Sequence, residues 1–170
     1  HDDMCYAGGI REFVTWLNRA KNPIHDGVIY MAGQKGDSIA ELAFQYTDSY
    51  SESILSFANN VHTPEGGMHE TGFKQALTST LNAYGRRMNL LKDGDEIKGE
   101  DYREGLTCII SVKLTDAQFE GQTKAKLGNS EVRTLVSAIV SEKLEEFLEE
   151  NPAVGRAILD KALTASRARE

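Results

Sequence analysis

The sequence lacks most of what a self-contained active site is built from. No G-x-G-x-x-G occurs, and GQTKAKLG lacks the spacing of a P-loop, whose lysine directly follows the second glycine. HETGF around His69 has no second histidine at the offset a zinc protease needs, and His1, His25, His62 and His69 pair with no nucleophile in sequence. The two cysteines, Cys5 and Cys108, fit no metal or redox spacing, so they are expected to be reduced thiols of a cytoplasmic protein. No apolar run approaches the roughly 18 to 20 residues of a membrane span. The N-terminal HDDMCYAGG is too polar and acidic for a signal peptide. Positive charge is short as well: 19 Lys and Arg face 26 Asp and Glu, for a net charge of −7. That argues against general nucleic-acid affinity and leaves room only for local contacts with phosphate.

What is present suits one soluble domain with its own core: 170 residues, 40% hydrophobic and 26% charged. The chain does not begin with Met, and DKALTASRARE stops inside a helical pattern, so both ends are expected to be cut from something longer.

Ile10, Phe13, Val14 and Leu17 follow helical spacing, and Asn22-Pro23 ends that segment. VIYMAG (28–33), IAELAFQYT (39–47) and SILSFANNV (53–61) read as three strands joined by short turns, which predicts an antiparallel meander. A helix of about five turns follows HTPEGGMHETG, with Phe73, Ala76, Leu77, Leu81, Tyr84 and Met88 as its apolar positions. LKDGDEIKGEDYREG reads as an acidic loop. Its Asp93, Asp95, Asp101 and Glu104 imitate a calcium loop, but Ile97 holds a ligand place and Lys98 replaces the turn glycine. LTCIISVKL alternates as a fourth strand. Val132, Leu135, Val136, Ile139, Val140, Leu144, Phe147 and Leu148 form one helical stripe, and a last helix begins at Ala153. The order αβββαβαα predicts an α/β (α+β) two-layer sandwich, a four-stranded mixed sheet with helices on one face. The final helix is expected to run past the core as a connector.

Two features could carry chemistry. QFEGQTKAKLGNSEVR (118–133) puts Lys124 and Lys126 on a Gly-flanked loop that opens a helix, where backbone N–H groups and two ammonium groups could hold an anion. On spacing alone, the plainer reading is a solvated turn with two surface lysines. Between Thr71 and Leu91 there is no Asp or Glu, and Lys74, Thr78, Asn82 and Arg86 recur at i, i+4. That stripe is either a face turned to a polyanion such as DNA or an ordinary solvated helix face.

GGIREFVTWLN, FQYTDSYSESILSFANNVHTPEGG, HETGFKQALTSTLNAYGRR, REGLTCIISVK, QFEGQTKAKLGNSEVR and LEEFLEENP stand in an order and spacing that resembles the transducer domain of the DNA gyrase B family. These are the ATPase subunits of type IIA DNA topoisomerases. The match runs essentially end to end and departs at Met68, where relatives usually carry Thr. The resemblance implies a left-handed βαβ crossover, with 1–152 as the transducer and 153–170 as the start of a connector helix. It places the domain between an upstream ATPase domain and a downstream cleavage-religation region. It also implies that Gln122 and Lys124 reach the γ-phosphate of ATP held by the upstream domain, and that Lys74 faces a cavity for double-stranded DNA. Arg86 and Arg87 are DNA-facing candidates on pattern alone. Mg2+ would serve the full-length enzyme without being bound by this chain. The implied partners are gyrase A, DNA and a second copy of the same subunit, which closes the N-terminal gate as a homodimer. The domain alone is expected to be inactive. The corresponding ATPase subunit of topoisomerase IV stays open as a relative, although the compact KLTDAQFEGQTK leans toward gyrase. A standalone DNA-binding module is the reading from another class.

Overall fold

Hydrophobic spacing decides the first element, α1 (Gly9–Leu17), which buries Ile10 and Val14 and leaves Trp16 exposed. The computed structural model describes residues 9–25, 27–59, 61–64, 66–92, 94–95, 97–115, 119–120 and 126–169. β1 (Ile29–Lys35) and β2 (Ser38–Tyr46) form a hairpin around Gly36, whose φ of 61° suits glycine. β3 (Ser53–Ala58) turns through Asn59 into the two-residue β4 (Val61–His62). Then come α2 (Met68–Arg87), the short α3 (Gly99–Arg103) and β5 (Leu106–Lys113). A separate ladder joins β6 (Phe119–Glu120) to β7 (Lys126–Leu127), and α4 (Ser130–Glu150) and α5 (Pro152–Arg169) complete the order.

The main sheet runs β1-β2-β5-β3-β4, with β5 parallel to β3 and antiparallel to β2. A mixed sheet is therefore present, but the predicted meander is corrected: β5 lies between β2 and β3. The reason is burial. Every residue of β5 from Leu106 to Val112 is buried, on both faces, which suits a central strand and leaves β3 its other side. The parallel β3–β5 pair then needs a crossover, and α2 supplies it. The sheet has five strands rather than four, because Val61 and His62 double back on β3 instead of extending it.

Helices lie on both faces, not one. Leu42, Phe44 and Tyr46 of β2, with Leu106, Cys108 and Ile110 of β5, meet α2 and α4 in the large core. Their alternating neighbours Ala43 and Ile109 point the other way and pack with Ile10 and Val14 of α1. Along α2, Gly72 permits a close crossing: a Cβ there would lie 2.5 Å from the Arg133 carbonyl oxygen of α4. α3 occupies the stretch read as an acidic loop, its first turn held by Asp101, which accepts from the Lys98 N–H at 2.9 Å. α5 does not run past the core. Ile158, Leu159 and Ala162 are buried in it, and Lys161 donates to the Ser49 carbonyl at 3.0 Å.

Candidate functional site

Gln122 and Lys124 lie outside the described residues, but the chain on either side of them is defined. β6 and β7, which flank 121–125 in the sequence, pair as Phe119↔Leu127 and Glu120↔Lys126. On the N-terminal side, Leu114, the residue after β5, both donates to and accepts from the side chain of Asn59, at 2.7 and 3.0 Å. At the far end, Asn129 is buried at the start of α4, and its Nδ2 donates to Glu131 at 3.0 Å. That bond from Asn129 holds the Glu131 carboxyl below its ordinary range. The hairpin ladder was not expected from the sequence. Glycines at 121 and 128 are visible in the sequence, but a two-residue strand is too short for alternation to show.

The α2 stripe is less open than its spacing predicts. Lys74 is half-buried, and its ammonium pairs with Glu70 at 3.1 Å, one turn back. Thr78 donates to the Lys74 carbonyl at 3.0 Å, and Asn82 accepts the Tyr102 hydroxyl at 2.6 Å. α3 therefore crosses the middle of the stripe and uses it for packing. Arg86 is exposed at the far end. Arg87 turns toward α4, where Glu145 and Glu149 each pair with it at 3.3 Å, and its guanidinium lies 5.6 Å from the centre of the Tyr84 ring.

Behind Lys74 sits a buried polar cluster that sequence spacing could not reveal. The Ser56 hydroxyl donates to Glu70 at 3.1 Å and meets the Thr63 hydroxyl at 2.9 Å. Thr63 in turn lies 3.2 Å from His69 Nε2. His69 is fully buried, with Nδ1 unpartnered, and desolvation pulls its pKa down to about 4 against a smaller raising effect of Glu70. This is not a hydrolytic triad: the histidine bonds Thr63, and no Ser56–His69 bond is present among the described residues. The cluster fastens the start of α2 to the β3–β4 hairpin and aims Glu70 at Lys74.

Comparison with known proteins decides the family. The family model for DNA gyrase B matches residues 9–170. The chain belongs to the DNA gyrase B family. It is 53% identical to the DNA gyrase B protein of Clostridium acetobutylicum over 97% of its own length and 26% of that protein. Against the DNA gyrase B protein of Bacillus mycoides it is 54% identical, covering 96% of this chain and 41% of that protein. The chain thus spans well under half of these curated relatives. Among solved structures, the 43K ATPase domain of Thermus thermophilus gyrase B in complex with an aminocoumarin superposes with a TM-score of 0.89 at 39% identity, over 95% of this chain and 44% of that one. The topoisomerase IV ATP binding domain of Francisella tularensis gives 0.83 at 27% identity, over 96% and 44%.

In this member of the DNA gyrase B family, the end of β3 makes two fastenings. Ser56 holds Glu70 and through it Lys74, while Asn59 holds Leu114.

Proposed function

We propose that this chain is the transducer domain of a gyrase-type ATPase subunit, coupling ATP hydrolysis on an upstream domain to movement of a DNA gate. One observation carries the reading: Gln122 and Lys124 fall in sequence between β6 and β7, which pair with each other in a short ladder of their own between β5 and α4. In this reading Gln122 donates a hydrogen bond to the γ-phosphate of ATP, and Lys124 sets its compact ammonium beside it. Phosphoryl transfer depends on positioning and charge neutralisation, so a lysine aimed at the γ-phosphate stabilises the charge that spreads over its oxygens. Mg2+, arriving with the nucleotide, would be held by the upstream domain rather than by this chain and would neutralise phosphate charge there. The contact exists with ATP and is lost with ADP. That gives the two arrangements of the domain different affinities for nucleotide, as a switch requires.

Arg86, and Lys74 once its pair with Glu70 is given up, serve as phosphate contacts for double-stranded DNA in the gate, without base specificity. Arg87 joins them only when its pairs with Glu145 and Glu149 are given up. α5 leads onward to the cleavage-religation region, and the complete enzyme works in the cytoplasm as a dimer of this protein joined to gyrase A. The domain alone is inactive.

The deciding experiment is ATP turnover by the full-length protein, native against Lys124→Ala. A fall of about 10² to 10³ with nucleotide binding retained is expected. Equal rates overturn the reading. Plasmid supercoiling in the presence of gyrase A separates the gyrase reading, which predicts negative supercoils, from the topoisomerase IV reading, which predicts decatenation alone. The 53–54% identity to gyrase relatives favours the former.

A further inference from the structure

α2 carries one acidic side chain, Glu70, against three basic ones, Lys74, Arg86 and Arg87. A carboxylate in the first turn suits the helix dipole wherever it points. Its direction is set from outside the helix. The Ser56 hydroxyl of β3 donates to Glu70 Oε2 at 3.1 Å, and Ser56 is itself held by the Thr63 hydroxyl at 2.9 Å. Gly66, at φ 78°, leaves room beside the same oxygen: a Cβ there would lie 2.8 Å from it. The other oxygen, Oε1, meets the Lys74 ammonium at 3.1 Å. Both carboxylate oxygens are therefore engaged, one by the sheet and one by the lysine. The two partners are not held alike. Glu70 keeps 20% of its side-chain surface and Lys74 keeps 35%, and among the described residues the Lys74 ammonium has no other ion-pair partner. The carboxylate is fixed to β3, so the lysine, on its flexible stem, is the member that can leave.

We propose that Glu70 is a built-in competitor of DNA phosphate for Lys74, an inference that rests on the DNA-contacting reading of Lys74 given above. A carboxylate oxygen and a phosphate oxygen offer the ammonium the same charge-assisted bond. Holding both at once would set two anions side by side, so the phosphate must displace Glu70 rather than share the lysine with it. Ser56 keeps Glu70 in place, and the displacement therefore falls on Lys74, which swings out to the DNA. Affinity for the duplex is reduced by the fraction of Lys74 that stands unpaired before the DNA arrives. Glu70 thus weakens a contact that reads no sequence. A weak contact suits DNA that has to be let go once it has passed.

The test measures binding of a linear DNA duplex of mixed sequence to the full-length protein closed with a non-hydrolysable ATP analogue. Four forms are compared: native, Glu70→Gln, Lys74→Ala and the Glu70→Gln/Lys74→Ala pair. Glutamine keeps the shape of Glu70 and an acceptor for the Ser56 hydroxyl, so the fold survives, as thermal unfolding checks. Expected for Glu70→Gln is binding tighter by about two- to fivefold, the strength of a partly exposed ion pair. That gain shrinks as salt rises from about 50 to about 200 mM, because salt screens the pair that glutamine removes. Lys74→Ala weakens binding and reduces the salt slope by about 1. On the Lys74→Ala background, Glu70→Gln brings no gain. The same gain with and without Lys74 overturns the proposal, since Glu70 would then act by general repulsion of DNA. Unchanged or weaker binding in Glu70→Gln, while Lys74→Ala still weakens it, overturns it as well. If Lys74→Ala alters neither affinity nor salt slope, the DNA-contacting reading of Lys74 fails, and the role of Glu70 with it.

Discussion

The two faces of the sheet are held by different means. Under α2 and α4, Leu42, Phe44, Phe73, Leu77, Leu81, Leu106 and Ile110 are completely buried, and apolar area supplies the stability. Under α1 the apolar set shrinks to Ile10, Val14, Ala43 and Ile109. There a polar chain takes over. Thr107 donates to Asn18 at 2.7 Å, Asn18 donates to Gln45 at 3.0 Å, and Gln45 donates to the carbonyls of His25 and Gly27, both at 3.3 Å. The broad face gains from any apolar contact that excludes water. The narrow face depends on directional bonds, which specify where the end of α1 must sit.

Truncation at the broad face should have the largest effect on stability. Phe73 is fully buried with its ring 5.7 Å from that of Phe44, so Phe73→Ala is expected to lower unfolding free energy by about 3–5 kcal/mol in denaturant titration. A loss below that of Thr107→Val would reverse the comparison.

The same face also contains its weak point in acid. His69 has a folded pKa of about 4 against an ordinary 6.5. Above 6.5 it is neutral folded or unfolded, and its burial carries no proton penalty. Between 6.5 and about 4 the unfolded chain binds the extra proton, so stability falls as pH falls, by up to about 3 kcal/mol in total. Below about 4 this residue adds nothing more. NMR titration of the His69 ring should show a midpoint near 4, and a midpoint close to 6.5 would contradict its burial.

On the narrow face, Thr107→Val leaves Asn18 Oδ1 without its Thr107 donor in a buried setting, and a loss of about 1–3 kcal/mol is expected from thermal or denaturant unfolding. Smallest of all should be Arg87→Ala. Its two carboxylate partners are about half exposed, so water and salt screen the pairs, and a change within about 1 kcal/mol is expected. A larger loss would show that Arg87 braces α2 against α4 rather than decorating it.

The elements themselves were largely legible. Strand alternation in LTCIISVKL placed Leu106, Cys108, Ile110, Val112 and Leu114 on one face, and all five enter the large core. The stripe from Val132 to Leu148 buries Val132, Val136, Val140 and Leu144 against that core as expected. Reading IAELAFQYT as a strand gave no sign that α1 would cover Ala43 on the face opposite Leu42 and Phe44. The α2 stripe misled for a similar reason. i, i+4 spacing describes one helix, and nothing in it reports that Tyr102 of α3 would come to bond Asn82. The bond between Asn59 and Leu114 was beyond reach, since the two are 55 positions apart.

The sequence by itself determined which segments become helix or strand, where glycine must turn the chain, and to which family the chain belongs. All of these are local periodicities or matched blocks, readable one stretch at a time. Tertiary structure alone decided that β5 enters between β2 and β3, that α1 takes the second face, and that α5 folds back onto the core. It also decided that the polar groups of Ser56, Asn59 and His69 meet partners from other elements. Those outcomes come from competition among apolar faces for the same partners, and from buried polar groups that must find a bond wherever the winning arrangement leaves them.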